Sequence, residues 1–110
     1  MDQEEYVERV LALVERIPAG RVMNYGAIAA EVGVGGPRQV GRVMSQYGGS
    51  VPWWRVVHAD GSLAVCHDGG ARQHLVAEGT RFRPSGSVDM AASLWSPEEL
   101  EGVPDSVGGP

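Results

Sequence analysis

Lysine is absent from these 110 residues, and cysteine and phenylalanine occur once each. A single cysteine, Cys66, excludes an intramolecular disulfide framework and suits a reducing compartment. The three histidines are scattered and offer no zinc-ligand spacing with it, so neither a metal nor another cofactor is expected. No apolar run reaches the roughly 18 residues of a membrane span, and the first residues lack the form of a secretory signal. The expectation is a soluble, monomeric, cytoplasmic protein with no membrane partner, nucleoid-associated if bacterial. No internal repeat is present.

What the chain does contain is unevenly distributed. Apolar residues make up 43%, enough for one modest core, and the net charge is −5. An acidic protein is a poor polyanion ligand as a whole, because nucleic-acid binding is dominated by phosphate neutralisation. The excess acid lies at the two ends, however. Residues 17–85 carry seven arginines against four acids, whereas residues 86–110 carry five acids and no base. The middle is therefore mildly basic, and every base in it is arginine, the better residue for stacking and minor-groove entry.

Asp2 followed by Glu5 predicts a capping box, and Tyr6, Val7, Val10, Leu11, Val14 and Ile17 recur at helical spacing, so residues 3–16 should form an amphipathic helix. Asn24 suits the cap of a second helix that Gly33 stops. Pro37 suits the first position of a third, over about 37–47, with Val40, Val43, Met44 and Tyr47 on one stripe and Arg38, Arg42 and Ser45 on another. Two short helices joined by a glycine-rich turn, the second bearing arginines, read as a helix-turn-helix. The residues alone leave open whether those arginines meet DNA or only water. Val51 to Val57 is bulky and β-branched and reads as extended, and Asp60-Gly61 as a turn. Residues 62–67 could return as a short strand, and residues 72–79 read as a last short helix. Residues 84–110, rich in Ser, Gly, Pro and acid, read as a largely disordered tail that could dock through Leu94 and Trp95. The domain boundary is therefore expected at 83/84.

The order of motifs suggests a family. Ile17-Pro18-Ala19-Gly20-Arg21-Val22, then Asn24-Tyr25-Gly26 with Ile28-Ala29, resembles the opening of the DNA-binding domain of the O6-alkylguanine-DNA alkyltransferases. Arg38-Gln39-Val40-Gly41-Arg42-Val43-Met44 resembles that family's recognition helix. Pro52-Trp53-Trp54-Arg55-Val56-Val57 is similar to its Pro-Cys-His-Arg-Val active-site segment, and Gly69-Gly70 and the Leu75–Gly79 stretch complete the order. The resemblance implies a mainly α fold with a short β element, winged helix-turn-helix-like, as in the alkyltransferase C-terminal domain.

It also implies roles. Tyr25 would crowd the phosphate 3′ of a nucleotide and help rotate it out. Arg38 would enter the duplex and occupy the space left behind, offsetting part of the few kcal/mol that flipping costs. Pro37 and Gly41 would let the recognition helix approach the minor groove closely, and Arg42 would touch a phosphate. Trp53, the main chain at Val56, and Cys66 and His67 on a closing loop would form the lesion pocket. Arg55 would hold its segment in place, and Trp54 would sit in the core.

Trp53 stands where the enzymes carry the alkyl-accepting cysteine, and Trp54 stands where they carry a histidine. An indole is a poor nucleophile, and alkyl transfer requires an activated thiolate. The resemblance is thus to the alkyltransferase-like proteins, which bind the lesion without repairing it. It implies double-stranded DNA containing O6-alkylguanine as one partner, and nucleotide excision repair proteins as recipients of the complex. The alternative is a helix-turn-helix DNA-binding or regulatory module that has lost lesion specificity. A relocated acceptor at Cys66 is the least favoured reading, since only His67 stands near enough in sequence to activate it. Glu78 resembles the acid that supports the enzymes' Cys–His pair, and with both partners gone it is expected to be a helix-capping or surface residue.

Overall fold

The fold is taken from a computed structural model that describes residues 1–64 and 70–98. The Asp2 carboxylate accepts the Glu5 backbone N–H at 2.8 Å, opening helix α1 (Gln3–Arg16) as the capping spacing predicts. The helix buries Val10, Leu13 and Val14 and ends where Ile17, restricted by Pro18, becomes extended. Asn24 caps α2 (Tyr25–Val32) by accepting the Ala27 N–H at 2.7 Å, and Gly33 stops it in the left-handed region. Pro37 opens α3 (Pro37–Tyr47), at a position whose N–H would have no intrahelical partner. The turn between α2 and α3 requires glycine at Gly35. Its φ is +76°, and a Cβ there would lie 2.6 Å from the Tyr6 hydroxyl of α1. The three helices share a core that includes Ile17, Ile28, Val40 and Met44.

A two-stranded parallel ladder fixes the rest. Met23–Asn24 (β1) pairs with Val56–Val57 (β2), Met23 opposite Val56 and Asn24 opposite Val57. This ladder brings the start of α2 beside the chain that follows the tryptophans. Helix α4 (Ala71–Ala77) packs over residues 53–55, and Val22, Val57, Leu75 and Val88 form a second, smaller core. The architecture is mainly helical with one short sheet, as expected.

Two expectations change. Residues 53–55 are not extended but form a 3₁₀ turn, in which the Arg55 N–H donates to the Pro52 carbonyl at 3.0 Å. Only Val56 and Val57 enter the ladder, so alternation along a strand cannot decide where Trp53 and Trp54 point.

The second correction concerns the expected disordered tail. Residues 84–98 are packed: Val88 is fully buried, a helix α5 (Met90–Ser93) is capped by Asp89, and Trp95 is 2% exposed. Val22 supplies the reason. Its N–H donates to the Ser93 carbonyl at 3.0 Å and its carbonyl accepts the Trp95 N–H at 2.8 Å, so this segment satisfies the outer edge of the sheet. Trp95 does the docking, while Leu94 remains exposed. Two apolar anchors and a hydrogen-bonded edge order a stretch whose composition reads as disordered. The expected strand over 62–67 is described only at its start, where Leu63 bridges antiparallel to Val57. Residues 99–110 lie outside the described residues. None of the described helices is long and apolar enough to cross a membrane.

Candidate nucleic-acid interface

Helices α2 and α3 direct their N-terminal ends toward one surface hollow of about 460 Å³. Asn24, Tyr25, Gly26, Pro37, Arg38, Gly41, His58 and Ala59 line it. Four of the residues singled out in the sequence, Tyr25, Pro37, Arg38 and Gly41, therefore meet at one place. The arrangement is suited to an anion and a planar group. Two helix N-termini present the positive ends of their dipoles. Arg38 is exposed and makes no ion pair among the described residues, and Gly26 and Gly41 keep the walls low. A Cβ on Gly41 would meet nothing within 4 Å, so this glycine is not there to pack against a neighbouring helix. Arg42 is exposed farther along α3 and lines a different, smaller depression with Tyr6 and Tyr47.

His58 and Asn24 belong to the hollow and carried no functional signal in the sequence. Parallel pairing of β1 with β2 places both at the same end of the sheet. The His58 ring lies against Tyr25, centroids 5.1 Å apart and planes tilted by 42°.

The residues around Trp53 are organised differently. Trp53 is 4% exposed and packs in the main core, outside the hollow that holds Tyr25 and Arg38. Val56 is fully buried. The expected pocket members Cys66 and His67 lie outside the described residues. Trp54 stacks on His74 of α4 at 3.8 Å, nearly parallel, and meets Trp53 edge-on. Its indole Nε1–H donates to Glu78 Oε2 at 2.9 Å. The Arg55 guanidinium forks onto the same carboxylate, with Nε to Oε1 at 3.0 Å and Nη2 to Oε2 at 2.6 Å, and also reaches the Ile17 carbonyl at 2.7 Å. The Gly20 N–H adds a longer contact to Oε1 at 3.5 Å.

Glu78 stands at the C-cap of α4, as one of the two expectations had it, but it is not a surface acid: its side chain is largely buried. It joins the end of α4, the tryptophan turn and the chain after α1. Burial pushes its carboxyl up, but the hydrogen bonds from Arg55 and Trp54, the Arg55 charge and the Gly20 N–H outweigh that, leaving it below the usual carboxylate range. The expectation that Glu78 loses its partners fails because an indole N–H can donate where an imidazole N–H otherwise would. Arg55 holds its segment, as expected.

Among the described residues no cluster of three or more His, Cys, Asp or Glu side chains could bind a metal ion. The fold and hollow define a helix-turn-helix domain of the alkyltransferase type. The chain belongs to the family of 6-O-methylguanine DNA methyltransferase DNA-binding domains, whose model matches residues 5–80. Within it the chain is similar to the DNA base-flipping protein of Escherichia coli strain K12, 33% identical over 99 residues that span 86% of this chain and 77% of that protein. It is also similar to alkyltransferase-like protein 1 of Schizosaccharomyces pombe, 37% identical over 67 residues covering 58% and 62% of the two chains. The crystal structure of S. pombe Atl1 in complex with damaged DNA containing O6-carboxymethylguanine superposes with a TM-score of 0.75 at 30% identity, over 88% of this chain and all of that one.

Proposed function

We propose that this protein binds O6-alkylguanine in duplex DNA from the minor groove, rotates the alkylated nucleotide out of the stack, and holds it without transferring the alkyl group. The observation that carries this reading is the convergence of Tyr25, Pro37, Arg38 and Gly41 on one open hollow between two helix N-termini. A phosphate at the helix ends, Tyr25 beside the departing nucleotide and a planar Arg38 in the vacated stack together offset the few kcal/mol of unstacking. Flat contact of α3 with the groove wall needs a residue without a side chain at Gly41. Relatives named as base-flipping and alkyltransferase-like proteins support the assignment. Trp53 at the acceptor position offers no thiolate, so the bound lesion stays intact. We extend the proposal to delivery of the complex to nucleotide excision repair, which rests on the family resemblance.

The test is a titration with matched duplexes, one bearing a single O6-methylguanine, at fixed salt because salt sets the electrostatic background. Tighter binding to the modified duplex, with no alkyl mass added to the protein, is the expected result. Equal binding to both duplexes would sink the lesion-sensor reading. One observation favours the alternative of a DNA-binding module without lesion specificity: Trp53 is packed into the core, away from the hollow. That alternative predicts equal binding. An added alkyl mass would instead point to an acceptor at Cys66.

A further inference from the structure

His58 is the one ring in the hollow that neither motif resemblance nor composition picks out. We propose that His58 is a DNA-contacting residue of this site, its imidazole N–H donating to a backbone phosphate next to the nucleotide that Tyr25 faces. The inference rests on the base-flipping reading above and adds a residue to it.

Four observations carry it. His58 lines the same hollow as Tyr25 and Arg38, and its side chain is exposed. Its ring lies against Tyr25, centroids 5.1 Å apart, and no side-chain hydrogen bond engages its nitrogens among the described residues. The nearest carboxylate in sequence, Asp60, meets His58 only through charge, its Oδ1 accepting instead the Ser62 N–H at 2.9 Å and the Ser62 hydroxyl at 2.7 Å.

The backbone that carries His58 is also held rigidly. The His58 N–H donates to the Ser62 carbonyl and its carbonyl accepts the Gly61 N–H, both at 2.9 Å. Gly61, at φ +87°, leaves no room for a side chain: a Cβ would stand 2.5 Å from the Val88 carbonyl oxygen. The Val88 N–H in turn donates to the Gly61 carbonyl at 2.9 Å. The segment after residue 83 thus clamps the turn that presents His58, and a donor on a preorganised turn loses little freedom when it binds. A phosphate contact positions a protein on the duplex and carries no base information, so it should act equally on damaged and undamaged DNA.

The experiment measures the full-length protein and its His58→Ala, His58→Phe and His58→Gln variants against the O6-methylguanine duplex and its unmodified match. His58→Phe keeps a ring against Tyr25 and removes the donor, whereas His58→Gln keeps a donor and removes the ring. Ala and Phe should each weaken binding to both duplexes by about threefold to tenfold, the worth of one hydrogen bond, and Gln should restore most of it. The side chain is exposed, so all three variants should unfold at the wild-type temperature. The proposal is overturned if Phe binds like wild type, if Gln is as weak as Ala, or if only the modified duplex is affected. A wild-type protein that does not distinguish the two duplexes would overturn the lesion reading alone, because the contribution of His58 is still measured on unmodified DNA.

Discussion

Between the N-terminal ends of α2 and α3 the side chains stop short of one another and leave a hollow of about 460 Å³. A short distance along the chain, around residues 53–55, two indoles, an imidazole and an ion pair fill the space. In the first region Arg38 makes no ion pair among the described residues and Gly41 faces open space. In the second, the Glu78 carboxylate is hydrogen-bonded by Arg55, Trp54 and Gly20. The contrast separates two uses of polar groups. Groups satisfied within the chain hold it together, and groups left facing solvent are available to a partner. The tryptophan turn is part of the scaffold, while the hollow between the helix N-termini remains open.

That contrast can be tested, beginning with the scaffold on which both regions depend. Trp95→Ala should cost about 3–5 kcal/mol of stability, the usual effect of truncating a buried Trp, measured by urea unfolding. Truncation after Arg83, which also removes Val88, should leave no cooperative transition. A truncated chain as stable as the full one would mean that the last segment is only appended.

Glu78→Gln should cost about 2–3 kcal/mol, since it weakens two charge-assisted hydrogen bonds and leaves Arg55 half-buried without its counter-ion. The same group sets a pH dependence. Its folded-state carboxyl lies below the ordinary range, so its contribution is fully present above the ordinary glutamate value of about 4.3 and is lost as pH falls through the depressed one. Thermal unfolding followed downward from about pH 5 should show wild type losing stability that the Gln variant never had. Parallel profiles for the two proteins would show that the ion pair contributes nothing.

Arg38→Ala and Tyr25→Ala belong to the open region and should reverse the pattern. Each should weaken O6-methylguanine duplex binding by about tenfold to a hundredfold, the range of one stacking contact. The unfolding midpoint should be unchanged for Arg38→Ala and lowered only modestly for Tyr25→Ala, whose ring packs against the main core. A large loss of stability in either would place that residue in the scaffold instead.

The smallest effect is the most discriminating. Gly41→Ala should raise stability by up to about 1 kcal/mol, because it gives a helix interior a better helix former in open space. It should still weaken DNA binding if α3 lies flat in the groove. Unchanged affinity in a titration would show that α3 does not approach the DNA there.

The three leading helices were legible because their signals are local: an Asp-x-x-Glu start, Asn24 and Pro37 at helix openings, Gly33 at a stop. Tyr25, Pro37, Arg38 and Gly41 could be named together because the motif order survives in the sequence. The turn at 53–55 is not legible in the sequence because bulky, β-branched residues favour strand on propensity alone. Here long-range hydrogen bonds from Arg55 to Ile17 and Glu78 accompany a different backbone. The role of Glu78 is hidden in the sequence for a related reason. Its partners lie more than twenty residues away, and the donor that reaches it is an indole that the motif does not contain.

By itself the sequence determined the helical framework and the family, since each depends on residue identity and short spacing. Only the tertiary structure decided that residues 84–98 complete the domain, that Trp53 is packed away from the hollow, and that His58 stands beside Tyr25. Those outcomes depend on which backbone edges remain to be paired and which apolar surfaces remain to be covered. Parallel pairing of β1 with β2, across more than thirty residues, settles both.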